Sequence, residues 1–201
     1  MKETIGLISG LIVVLSAIPY GIRTYQRKIK PNLVSWSIWA FIGLALLLSY
    51  KSSGAGSNVW PAIFGFTSPL MIAVLAIWRG DRKKPNSLEV TCVVFGVISI
   101  VLWYFVRRDP TTAQWSLYIA IVADLFAAIP TVVFLWNNPQ EDRPTAWGVF
   151  ALGYGLAVFA ISDHTFANYV LPIYMFALAA LVTSLLVAYR VRNRVPLKEW
   201  I

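Results

Sequence analysis

Long apolar runs broken by short polar, turn-forming stretches set the pattern of this chain. Charges inside hydrocarbon are costly, and a helix needs roughly 20 apolar residues to cross it. Read that way, the sequence predicts seven spans: Thr4–Ile22, Leu33–Tyr50, Val59–Trp78, Leu88–Val106, Trp115–Trp136, Ala146–Ile161 and Tyr169–Tyr189. Between them lie Arg23–Asn32, Lys51–Asn58, Arg79–Ser87, Arg107–Gln114, Asn137–Thr145 and Ser162–Asn168. The first span reads as a retained helix, because Lys2 is cancelled by Glu3 and no small-residue cleavage site leads into a polar start.

Composition agrees. Of 201 residues 58% are hydrophobic and 13% charged, far from a water-soluble globule. One cysteine (Cys92) and one histidine (His164) exclude an intramolecular disulfide and a Cys/His zinc cluster, so neither metal nor cofactor is expected. The net charge of +8 would point to nucleic acid in a soluble protein. Here it follows topology instead, and no nucleic-acid partner is expected. With seven spans, 13 of the 17 Lys and Arg fall on the side of the first, third and fifth loops and the C-terminal tail. The positive-inside rule then puts the N-terminus outside and the C-terminus in the cytoplasm of a cell (plasma) membrane. Trp60, Trp78, Trp103, Tyr104, Trp115, Trp136, Tyr169 and Tyr189 lie near span ends, as an interfacial aromatic belt does.

Three landmarks recur 111 residues apart, one in each of three successive spans. Ala17-Ile18-Pro19 returns as Ala128-Ile129-Pro130, Trp36 as Trp147, and Pro61 as Pro172. This predicts an all-α membrane protein built as a 3+1+3 parallel repeat: a three-helix bundle over 1–80, a linker helix within 81–112, and a second bundle over 113–201 ending in a basic tail. A helix ending in Ile-Pro, a basic loop, and Ser-Trp-Ser-Ile-Trp opening the next helix resemble the PQ-loop superfamily. That group includes SWEET and SemiSWEET sugar transporters, PnuC-type vitamin transporters, lysosomal amino-acid exporters and KDEL receptors. The family's Pro-Gln pair is here Pro19-Tyr20 and Pro130-Thr131. The resemblance implies a SWEET-like bundle and a carrier for a sugar, a vitamin or nucleoside-like molecule, or an amino acid.

Asp124 is the one acid well inside a predicted span. An aspartate at the bilayer centre costs about 2.5–3.5 kcal/mol on insertion scales, so it should face the bundle interior, where it could couple protons or accept a hydrogen bond from substrate. Pro19 and Pro130, late in the first and fifth spans, are candidate hinges because each removes a helix hydrogen bond. Pro61 and Pro172 read as helix starts. Trp36 and Trp147 form a candidate gate or stacking pair, and Tyr154 and Tyr174 are candidates to reach the interior. Asn58 and Asn168 open the third and seventh spans, where capping explains them adequately and a ligand role is the alternative. One His, one Cys and one buried Asp make no catalytic constellation, so an enzyme is not expected. The leading reading is transport of a small polar metabolite by alternating access, with proton linkage as the coupling Asp124 invites. The alternative is a non-transporting receptor or assembly subunit, and a homo-oligomer stays open.

Overall fold

The computed structural model describes residues 1–200. Among them run seven α-helices: α1 (Lys2–Tyr25), α2 (Leu33–Ser52), α3 (Trp60–Arg79), α4 (Ser87–Val106), α5 (Pro110–Asn137), α6 (Pro144–Ala157) and α7 (Phe166–Arg192). Short 3₁₀ turns at Ser57–Val59, Val158–Ala160 and Leu197–Glu199 precede α3, extend α6 and close the tail. No strand occurs among the described residues; the one backbone pairing of that kind is an isolated bridge between Asn32 and Asp81. Six of the helices are long and apolar enough to cross a membrane, and the chain is an integral membrane protein. The exception is the sixth, whose apolar helical run, Pro144–Ala160, is shorter.

Helix ends follow local chemistry. Asn32 caps α2 at Val34 N, Asp109 caps α5 at Thr111 N, and Thr165 caps α7 at Asn168 N. Asn86 and Glu89 close a reciprocal capping box on α4. Pro110 and Pro144 occupy the first helical positions of α5 and α6, where their missing N–H costs nothing. These caps extend α5 and α7 beyond the predicted Trp115–Trp136 and Tyr169–Tyr189. Pro61 does start a helix, but Pro172 does not: α7 begins at Phe166, because Thr165 caps it there, and Pro172 is carried inside. A proline in that position leaves the carbonyl four residues earlier, on Asn168, without its helix partner.

Many large apolar side chains point outward, and alanines are prominent inside. Leu7, Leu11, Leu15, Val94, Val101 and Phe105 are exposed, whereas Ala45, Ala62, Ala76, Ala120, Ala123 and Ala157 are buried. Lipid tails are as apolar as leucine, so small residues that let backbones approach hold such bundles together. A Cβ on Gly43 would meet Phe66 Cα at 3.0 Å, and one on Gly153 would meet the Ser9 carbonyl at 2.9 Å, so α2–α3 and α1–α6 pack backbone to backbone.

Helix α3 lies between α1 and α2, and α7 touches both α6 and α5. Contacts between α1 and α6, and between α2 and α5, complete a ring of six helices in the order α1, α3, α2, α5, α7, α6. Helix α4 stands outside it, against α5 and α2.

Candidate functional site

The ring encloses a cavity of about 340 Å³. Leu46, Ala62, Tyr154 and Leu171 form its buried end, while Tyr20, Trp36, Asp142 and Trp147 line the other end and are half-exposed. The cavity therefore opens toward the α1–α2 and α5–α6 loops.

Its walls come from named elements. Helix α2 projects Trp36 one turn past its Asn32 cap, and Trp39 beyond that. The Trp36 ring lies 5.0 Å from the ring of Tyr20, which α1 presents just after Pro19. Helix α6 supplies Trp147, Phe150 and Tyr154, with the last two rings 4.9 Å apart. Tyr154 is buried, and its hydroxyl donates at 3.2 Å to the Pro61 carbonyl. Gly65 makes room for it; a Cβ there would sit 2.5 Å from that hydroxyl oxygen.

Asp124 is 3% exposed and borders the cavity from α5. Tyr174 on α7 donates to its Oδ2 at 2.8 Å, and is the one side-chain donor to it among the described residues. Tyr174 thus stands behind Asp124 and is not part of the cavity wall.

Asn58 and Asn168 lie beyond the buried end of the cavity, joined through Tyr50. The Tyr50 hydroxyl donates to the Asn168 carbonyl at 2.8 Å, the acceptor that Pro172 leaves open, and accepts from Asn58 Nδ2. Asn58 Nδ2 also reaches Asn168 Oδ1 at 3.4 Å, Asn58 Oδ1 accepts from Gly56 N, and Asn168 Nδ2 donates to the Asp163 carbonyl. All three residues are essentially inaccessible. Neither asparagine caps a helix. They form a plug between the starts of α3 and α7 and the end of α2.

At the open end, Asp142 accepts from Trp147 Nε1 at 2.9 Å. Arg190, 4% exposed near the end of α7, donates to the carbonyls of Asp142 at 2.5 Å and Pro139 at 3.1 Å. Pro19 is exposed and Pro130 half-buried; each lies one residue before a cavity-lining residue, Tyr20 and Thr131. Of the sequence candidates, Asp124, Trp36, Trp147 and Tyr154 come together on the wall; Tyr174 backs it, the asparagines plug it, and the prolines flank it.

Tyr50, Ser68, Asp142 and Arg190 were not candidates in the sequence. Tyr50 ends a span, where an aromatic reads as belt, and Arg190 reads as one more charge of a basic tail. His164 is an exposed loop residue whose Nδ1 is 2.7 Å from the Tyr169 hydroxyl. No group of three or more His, Cys, Asp or Glu able to hold a metal ion occurs among the described residues. Comparison with known proteins finds no matching family model, no matching curated protein and no matching solved structure.

Proposed function

We propose that this protein is a carrier that moves a small polar metabolite across the membrane by alternating access. The observation that carries the reading is a cavity closed at one end by the Tyr50–Asn58–Asn168 plug and open at the other. A path blocked on one side at a time is what such a mechanism requires.

The ring order supports a 3+1+3 arrangement of seven spans, with α4 as the linker. Helices α1, α3 and α2 neighbour one another as α5, α7 and α6 do, and the α1–α6 and α2–α5 contacts exchange under the 111-residue correspondence. A two-fold axis along the membrane normal accounts for both, and together with the paired Ile-Pro and Trp motifs it is the basis of the PQ-loop likeness. The 13 basic residues of the odd loops and tail support an N-terminus outside and a C-terminus in the cytoplasm of the cell membrane. In that orientation the cavity faces the cytoplasm.

Pro19 and Pro130 free the carbonyls of Leu15 and Phe126, so the last turns of α1 and α5 bend about these points and carry Tyr20 and Thr131 in the cavity wall with them. Asp124 accepts the proton that links transport to a gradient. The test is a metabolite thermal-shift screen on purified protein, followed by uptake of the hits into proteoliposomes. Accumulation that is saturable and lost in Asp124→Asn is expected. A ligand that binds tightly and never crosses would replace the carrier by the receptor reading.

A further inference from the structure

The cavity wall carries two carboxyl groups, Asp124 and Asp142, and no Lys, Arg or His. At membrane depth a carboxylate is retained only beside a counter-charge or strong donors, and the protein gives Asp124 one hydroxyl. The same wall is rich in aromatic residues, Trp36, Trp39, Trp147 and Phe150, and the faces of such rings attract cations. A second unsatisfied group borders the same space: Ser68 is 7% exposed, and its hydroxyl has no partner.

Three polar groups of the wall are already paired. Ser16 donates to the Val13 carbonyl, Tyr154 to the Pro61 carbonyl, and Trp147 to Asp142. An anion would meet two carboxyl groups.

We propose that the cavity is a site for a small organic cation, its ammonium head at Asp124 and its apolar or aromatic body against the tryptophan-rich wall, with Ser68 as a further acceptor. This rests on the reading that the cavity is the substrate site, and it replaces the uncommitted "small polar metabolite" by a monoamine. The ligand supplies the positive charge that the wall lacks, and a volume of about 340 Å³ limits it to a compact molecule.

The test compares three isosteric probes on purified protein in detergent by tryptophan fluorescence at neutral pH: phenethylamine, phenethyl alcohol and phenylacetate. The amine should bind at least about tenfold more tightly than either of the others, and Asp124→Asn should remove that preference. Asp124→Glu should keep it, and Ser68→Ala should weaken amine binding severalfold. A smaller advantage, one that survives in Asp124→Asn, or no amine binding at all overturns the proposal. Should Asp124→Asn fail to give a monodisperse protein, the wild-type ranking and Ser68→Ala decide. Flux is read separately, in liposomes: an amine that binds through Asp124 and does not cross ends the carrier reading and leaves this inference standing.

Discussion

Two seams, α1 on α3 and α5 on α7, are built differently. Along the first, α1 offers Gly6, Gly10 and Gly21 to α3 and the turn before it; a Cβ at Gly10 would come within 2.7 Å of the Phe64 ring, and one at Gly21 within 3.2 Å of Met71. The residues 111 positions on are Leu117, Ile121 and Val132, and α5 meets α7 only sparsely. Across that looser seam, beside the apolar cluster of Leu135, Val182 and Leu186, runs the Tyr174–Asp124 hydrogen bond, where the first seam has Ile63 and Val13. Pro61 and Pro172 differ in the same sense. Pro61 stands in the first turn of α3, whereas Pro172 lies inside α7 and frees the carbonyl that Tyr50 takes. The first seam is close apolar packing, and the second sets a directional polar bond beside its apolar cluster. Apolar packing is bistable at best, but a single hydrogen bond across a gap can be made and broken by a ligand or a proton.

The comparison breaks most visibly at Gly10. Gly10→Ile gives α1 the residue that α5 has at Ile121, and overpacking of that size costs about 1–3 kcal/mol or more. A fall in thermal midpoint well beyond that of Ile121→Ala is expected by scanning fluorimetry; equal falls would mean the two seams are alike.

Next comes the plug. Tyr50→Phe strips the Asn168 carbonyl and Asn58 of a partner, a loss of about 1–3 kcal/mol for a buried group left unsatisfied. Pro172→Ala restores a backbone donor to that carbonyl. In a double-mutant cycle Tyr50→Phe should therefore cost less in the Pro172→Ala background. Strict additivity would show that the proline and the tyrosine are unrelated.

The smallest effect on stability is expected at the second seam. Tyr174→Phe should cost about 1 kcal/mol, the net worth of one hydrogen bond. Asp124→Val with Tyr174→Ile copies the first seam's residues into the second. This pair should be at least as stable as the protein with both polar groups, since a matched apolar replacement of a buried polar pair is near neutral, and it should abolish transport. A transporting double variant would remove the functional meaning of the difference.

Much of the architecture was readable because membrane spans are set by where charges can lie. Asp124 was conspicuous for the same reason, as a charge where none is cheap. Tyr174 was harder: its pairing with Asp124 depends on how far α5 stands from α7, which no local pattern encodes. The asparagines are conspicuous as residues and read as caps, whereas Thr165 caps α7 and Asn58 lies in the 3₁₀ turn before α3. They stand 110 residues apart, not 111, and the residue 111 positions on from Tyr50, the partner that unites them, is Ile161. Arg190 shows the limit of counting charges. The positive-inside rule uses its sign and says nothing of its burial.

Arg190 also has a mechanical consequence. Its guanidinium grips the carbonyls of Pro139 and Asp142, while its own helix anchors it at the far end of α7 from the plug. The α5–α6 connection is thereby yoked to α7 and loses its freedom as an independent hinge. A rotation of α7 would drag Asp142, and the Trp147 indole bonded to it, as one lever arm, so a push at the Asn168 end of the helix would be felt some 20 residues away as a displacement of the cavity mouth.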